Sequence, residues 1–401
     1  MVTLKDIEAA RSRIGDSIPL SPCPRSEVLS KLHGHSVYLK LENLQRTGSF
    51  KERGALNKIL TLTADERARG LIAASAGNHG QGVAYHASMH GIKSQVWMPR
   101  TTPLTKVSAT RSFGAQIVLH GSSYDEAYDG ALERSKAEGL TFIHPFDDDA
   151  VIAGQGTVGL ELFKQTTVDA VLVPVGGGGL ISGIACALKE QQPGIRVIGV
   201  EAEALPSMKA AVAAQKPVTV PAATTIADGI AVRTTRERTL KMVQQYVDDI
   251  VTVDEEEIAT AILFLLEKER TVGEGAGAVA LAALIHHKVS LPGKSIAVLI
   301  SGGNIDVKTL SRIIERGLAK DGRLLTLRIH LPDYPGALHR LTGVIAAHEV
   351  NIVATSYNRT NYGVALGDTV IDLTLETRGP EHVRELDDAL RAAGYEYDRV
   401  V

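Results

Sequence analysis

A lysine stands where a helix start would repel it. In Thr47-Gly-Ser-Phe-Lys-Glu-Arg-Gly-Ala55, Ser49 and Glu52 have the Ser-x-x-Glu spacing of a capping box, which predicts Ser49 as N-cap and Lys51 in the first helical turn. The unpaired N–H groups of that turn carry partial positive charge, so an ammonium ion is disfavoured there. A neutral amine is tolerated, and it is the form of lysine that attacks a carbonyl. Further along, Gly176, Gly177, Gly178 and Gly179 lie between a predicted strand and a helix expected from near Ile181. Such a run leaves N–H groups bare at the positive end of a helix, which is a cradle for phosphate. A dinucleotide is disfavoured although Glu201 could hold a ribose, because the third fingerprint glycine falls on Ile181 or Ser182. The absence of Gly-x-x-x-x-Gly-Lys-Ser/Thr disfavours a nucleoside triphosphate. The segment Ser75-Ala-Gly-Asn-His-Gly-Gln-Gly82 supplies a second nest of donors, sized for a small carboxylate, with Asn78 offering both a donor and an acceptor.

These loops need a scaffold that brings them together. Short β-rich runs are predicted at 37–41, 71–74, 95–98, 116–119, 170–175, 197–200, 250–253 and 296–300, with helical periods between most of them. This alternation implies an α/β fold with parallel strands covered on both faces, whose ligands lie beyond the carboxyl ends of the strands. The two glycine loops and Ser301-Gly-Gly-Asn304 all follow such strands, so they open toward one edge. The last eighty or so residues change rhythm. A strand at 325–331, a helix at 337–348, strands at 351–357 and 369–375, a helix at 382–393 and a strand at 396–401 give the ferredoxin-like βαββαβ order. The polar, glycine-broken stretch Leu318-Ala-Lys-Asp-Gly-Arg323 reads as a linker, dividing the chain into residues 1–320 and 321–401.

A net charge of -3 and 4% aromatic residues exclude the footprint of a nucleic-acid binder. The longest apolar run, Ala261-Ile-Leu-Phe-Leu-Leu266, is too short for a bilayer, and the N-terminus has no signal-peptide pattern. Two distant cysteines, Cys23 and Cys186, suggest neither a zinc cluster nor a disulfide framework. A cytoplasmic protein is expected. His86 and His90 lack the glutamate of a zinc-protease helix, and adjacent His286 and His287 read as structural, so no metal site is expected.

Ser49-Phe-Lys-Glu-Arg-Gly-Ala55, Ser75-Ala-Gly-Asn-His-Gly80, Gly176-Gly-Gly-Gly-Leu180 and Ser301-Gly-Gly-Asn304 occur in an order and approximate spacing that resemble the pyridoxal-phosphate enzymes of fold type II, the tryptophan synthase β-like group that includes threonine dehydratases. The resemblance covers about the first 320 residues. It implies a two-subdomain catalytic unit in which Lys51 links to the aldehyde of pyridoxal 5'-phosphate. Gly176 to Leu180 would hold the cofactor phosphate, Asn78 the ring hydroxyl, and the N–H groups around Ser75, Ala76, Gly77, Asn78 and His79 the substrate carboxylate. Ser301 would face the pyridine nitrogen, Phe50 would pack by the ring, and Gly229, Glu274 and Gly275 would line the site. A hydroxyl at the pyridine nitrogen makes the cofactor a weaker electron sink than a carboxylate would, which suits elimination. The expected reaction is β-elimination of L-threonine, and of L-serine, to a 2-oxo acid and ammonia.

Serine racemases of this group resemble the chain but carry serine where Ala76 stands, and alanine has no proton to give the opposite face. Racemase and hydroxyaspartate dehydratase are the alternative enzymes; an amino-acid sensor is the alternative outside catalysis. Metal-dependent relatives pair the acid matching Glu201 with a second one, whereas here Ala202-Glu-Ala-Leu-Pro-Ser207 follows. In the C-terminal segment, Asp333-Tyr-Pro-Gly-Ala-Leu338 resembles the signature of ACT domains. That implies allosteric control by a branched-chain amino acid such as isoleucine or valine, in a homodimer or homotetramer whose effector surface forms between copies.

Overall fold

Uninterrupted aliphatic runs of this chain become strands buried on both faces. The computed structural model describes residues 1–291, 294–358 and 367–400, which fall into two units, Met1–Asp306 and Val307–Val401. The first holds β1 (Val37–Leu41), β2 (Leu71–Ala74), β3 (Ser94–Met98), β4 (Gln116–Leu119), β5 (Thr141–Phe142), β6 (Ala170–Pro174), β7 (Arg196–Ala202), β8 (Asp249–Val253) and β9 (Ile296–Ile300). They form two sheets, ordered β1-β9-β6-β7-β8 and β4-β3-β2-β5, and their pairings are parallel. Every residue of β2, β6 and β9 is buried, as expected of strands flanked by helices on both sides. Two-residue β5 is too short to leave a periodic trace in the sequence.

The helix Asp149–Gln165 runs through the middle of this unit, with 12 of its residues buried in an unbroken stretch, 151–162. Two glycines let neighbours approach it. A Cβ on Gly154 would lie 2.7 Å from the Arg53 carbonyl oxygen, and one on Gly156 would lie 2.9 Å from that of Gly183. The helix thereby touches both the helix Lys51–Thr61 and the helix Gly179–Gln191. This contact places the lysine and the tetraglycine on either side of one packed element.

The second unit begins with the helix Val307–Lys320, which packs on β10 (Leu324–Pro332). Leu318, Ala319 and Lys320 are therefore helical, and only Asp321–Arg323 remains of the expected linker. Then come the helix Ala337–Ala347, β11 (Asn351–Asn358), β12 (Asp368–Glu376), the helix Pro380–Ala392 and β13 (Glu396–Arg399). The antiparallel sheet has the order β11-β12-β10-β13, and its core is formed by Leu327, Ile329, Leu341, Ile345, Leu373 and Leu386. The βαββαβ order follows the sequence pattern. Val401, the end of the predicted last strand, lies outside the described residues. Among the described residues, no helix is long and apolar enough to cross a membrane.

Candidate functional site

Beyond the carboxyl ends of β2, β6 and β9 lies a cavity of about 470 Å³, within the range of small-molecule sites. Phe50, Lys51, residues 75–79, residues 176–180, Gly229, Glu274 and Ser301 all line it. Of the positions singled out in the sequence, Gly275 is turned elsewhere: a Cβ there would meet the Ile226 carbonyl oxygen at 2.1 Å, so this glycine serves helix packing.

The lysine arrives by a different local structure from the one its capping spacing predicts. The helix begins at Lys51 with Phe50 at the N-cap and no side-chain cap. Ser49 is held in a bridge to Gly302, its hydroxyl without a partner among the described residues, and Phe50 N–H donates to the Ser301 carbonyl. Glu52 reaches past Ser49 to accept from the Thr47 N–H at 2.9 Å. Attachment to the loop after β9 thus replaces the capping box. Lys51 Nζ donates to the Pro145 carbonyl at 3.0 Å and lies 5.1 Å from the centre of the Phe50 ring.

Burial lowers the Lys51 pKa to about 8 against the raising effect of Glu274. At pH 7 roughly a tenth of such lysines are neutral, against about one in 3,000 for a lysine at 10.5. Capture of an added aldehyde at Lys51, trapped with borohydride and read by peptide mass, is therefore expected to rise with pH through a midpoint near 8. A midpoint above 10, the range of a solvated lysine, would contradict this environment.

Opposite the lysine is the tetraglycine turn. The N–H groups of Gly177, Gly178, Gly179 and Leu180 have no protein acceptor among the described residues, and they head the 13-residue helix Gly179–Gln191. A Cβ on Gly177 would sit 2.4 Å from the Phe146 ring, and Gly178 has φ +85°. Four bare donors at a helix start, on backbone that side chains would obstruct, fit a phosphate group.

The second nest is partly engaged. Ser75 N–H donates to the Trp97 carbonyl and Gly77 N–H to Ser75 Oγ. The free donors around it are the N–H groups of Ala76, Asn78, His79 and Gly80, the last three in the first turn of the helix Asn78–Met89. His79 Nε2 lies 2.8 Å from the Ile143 carbonyl, which only accepts, so Nε2 carries the proton and buried Nδ1 is unpaired. Burial pushes this imidazole down to about 3, so it is neutral near pH 7.

Asn78 links the nests to the acid. Its Nδ2 donates to Glu274 Oε1, and its Oδ1 accepts from Asn304 Nδ2 at 2.8 Å. One Nδ2 hydrogen remains for a ligand. Glu274 is pushed up to about 7 by burial and by nearby Asp228. Ser301, buried at the end of β9, makes a long 3.3 Å bond to the Ala276 carbonyl, leaving its hydroxyl free to turn.

Sequence reasoning missed His144, Phe146, Gln155 and Tyr128, which also line the cavity. His144 Nδ1 accepts the N–H groups of Phe146 and Asp147 and shapes the turn before the central helix. Burial lowers its pKa to about 3, in keeping with a ring that accepts. A His-Pro-Phe-Asp run after a very short strand was the available signal. Glu201 caps the helix Ser207–Ala214 through Met208 and Lys209 N–H, each at 2.8 Å, so both of its oxygens are engaged.

Residues 15–302 match the family model described as pyridoxal-phosphate dependent enzyme. Over 397 residues the chain is 48% identical to L-threonine ammonia-lyase of Thermotoga maritima, covering 99% of each. The solved structure of processed threonine deaminase isoform 2 from Solanum lycopersicum aligns with a TM-score of 0.73 at 38% identity, covering 78% of this chain and 86% of that one. Maize serine racemase aligns with a TM-score of 0.74 at 32% identity, covering 80% and 98%. With an amine held near neutrality facing a bare phosphate cradle, and with likeness across most of its length, this chain belongs to the pyridoxal-phosphate-dependent enzymes.

Proposed function

We propose that the chain is a threonine ammonia-lyase, converting L-threonine to 2-oxobutanoate and ammonia and acting on L-serine in the same way. The observation that carries this reading is the convergence of Lys51, pushed down to about 8, with four unpaired N–H groups in one cavity. The full-length likeness to the Thermotoga maritima L-threonine ammonia-lyase supports it. Pyridoxal phosphate, when bound, supplies an aldehyde and a conjugated ring that draws electrons from the substrate α-carbon. The chain's residues do the rest. Gly177 to Leu180 would hold the phosphate, and Asn78, oriented by Glu274 and Asn304, would offer its remaining Nδ2 hydrogen to the ring hydroxyl. Ser301 would offer the ring nitrogen a hydroxyl that does not charge it, and the N–H groups around 76–80 would orient the substrate carboxylate. Lys51 Nζ takes the α-proton, the β-hydroxyl departs as water, and the unsaturated amine hydrolyses to the oxo acid and ammonia.

Ala76 separates this reading from racemisation. Its methyl group lines the cavity where a second proton carrier would have to stand, and neutral His79 donates through Nε2 away to Ile143. Steady-state assays of 2-oxobutanoate from L-threonine, pyruvate from L-serine and D-serine from L-serine test the assignment. Oxo acid is expected from both substrates; D-serine forming faster than pyruvate would overturn it.

The residues after about 320 form, in this reading, an ACT regulatory domain in a cytoplasmic homo-oligomer. Support comes from the βαββαβ order, from Gly336 at φ +92° opening the helix Ala337–Ala347, and from two cysteines that are both free. Isoleucine or valine is expected to shift the threonine saturation curve of the full chain, and Gly336→Val to remove the shift without changing unregulated turnover. An effector response that survives Gly336→Val would refute the ACT site.

A further inference from the structure

Gln155 is 1% exposed, yet half of its amide is unused. Its Oε1 accepts the Gly54 N–H at 3.1 Å. Because an N–H can only donate, this bond fixes which end of the amide is oxygen and which is the donor Nε2. Nε2 is buried and has no partner among the described residues. A buried donor left unpaired is costly and rare in native proteins, and those that persist need a reason.

The surroundings supply one. Gln155 lines the same cavity as Lys51 and residues 176–180. It is anchored to Gly54, one turn beyond Lys51. The next residue, Gly156, packs on Gly183, one turn beyond Leu180. The stretch of the central helix that carries this carboxamide therefore packs on both the lysine helix and the helix that heads the phosphate cradle. Asn78 and Ser301 serve the ring side of the cavity, and the donors around 76–80 serve the carboxylate. The three oxygens of a phosphate have more lone pairs than four N–H groups can fill.

We propose that Gln155 Nε2 is a further phosphate ligand, adding a side-chain donor to the N–H groups of the tetraglycine; this rests on the pyridoxal-phosphate reading above. Gly54 sets its direction, so the amine and the phosphate are held in register by one side chain. The glycine at 54 is needed for this, since a Cβ there would lie 2.4 Å from Nε2.

The test compares pyridoxal phosphate with pyridoxal, which lacks the phosphate, by equilibrium dialysis against full-length apoprotein. Gln155→Met removes the donor without adding charge. Gln155→Ala also removes the donor without adding charge and decides the matter if the methionine variant does not fold. Both are expected to weaken pyridoxal phosphate roughly 10- to 100-fold, the range for a lost bond to a charged group, and to change pyridoxal less than twofold. Pyridoxal phosphate affinity within twofold of wild type, or a parallel loss of pyridoxal, would overturn the inference while leaving the enzyme assignment standing. Wild-type protein that binds neither compound would overturn both.

Discussion

Lys51→Ala is expected to lower turnover of L-threonine by at least roughly a thousandfold, because it removes both the amine that engages the cofactor and the base that takes the α-proton. The effect should be visible before any kinetics. Wild-type protein loaded with pyridoxal phosphate should show a visible absorption band, and borohydride should fix the cofactor to the peptide containing residue 51. The variant should show neither. Lys51→Arg should not restore activity, since a guanidinium remains protonated at any working pH. Loss of fold is a poor explanation in advance. The Lys51 pKa is lowered on folding, so the unfolded chain binds the proton more tightly, and the charged lysine is a full penalty below about pH 8 that fades as pH rises toward 10.5. The alanine apoprotein should therefore be at least as stable as wild type at pH 7 by thermal melting. A variant that kept more than about a tenth of wild-type turnover would remove Lys51 from the chemistry.

Much of the scaffold around that lysine can be read from the chain, for a physical reason. β1, β2, β4 and β9 have the bounds their sequence predicts; β2 and β9 do so because aliphatic runs covered on both faces have no polar alternation to blur their ends. The partition into two sheets is not legible in this way. It depends on β9 pairing with β1 across more than two hundred residues, and local periodicity carries no record of such a partner. The glycine loops were legible because bare backbone is itself the binding group. Side chains that act from a helix face were not. Gln155 sits in Ala-Gly-Gln-Gly-Thr, whose glycines advertise close packing, while the direction of the amide is set by Gly54, about a hundred positions away. Ser49 shows the opposite failure, a correct local signal overridden because the loop after β9 claimed the same residue.

The least legible feature lies two residues from Lys51. A charged side chain is rarely fully buried, yet Arg53 is 0% exposed. Its Nε and Nη2 reach Glu42 at 2.7 and 2.8 Å; Nη1 and Nη2 reach Glu161 at 2.7 and 2.8 Å; Nη1 also donates to Thr157 at 3.1 Å. All five guanidinium donors are thus used. Lys40, also buried, donates to Glu161 at 2.7 Å, so two cations and two carboxylates close a neutral network between β1, the lysine helix and the central helix. Burial opposes the charge on Arg53, but the two carboxylates outweigh it and raise its pKa.

Arg53→Met is expected to cost about 3–5 kcal/mol at pH 7, because it strands buried carboxylates rather than merely deleting contacts. Urea denaturation measures the loss. Two controls identify its source. Adding Glu42→Gln should recover most of it, since Lys40 then balances Glu161 and no buried carboxylate is left without a counter-charge. Lowering the pH should narrow the gap. Burial raises the Glu161 pKa, but Arg53 and then Lys40 outweigh it and hold it below 4.5 in the folded wild type, so its stabilisation is complete above that value and lost as pH falls through the lower folded one. The variant has little of that stabilisation to lose. Because the same helix presents Lys51, cofactor occupancy should fall along with stability, and the Glu42→Gln background should restore both. A deficit below about 1 kcal/mol, or one that persisted unchanged at low pH, would mean that packing rather than charge secures the lysine helix.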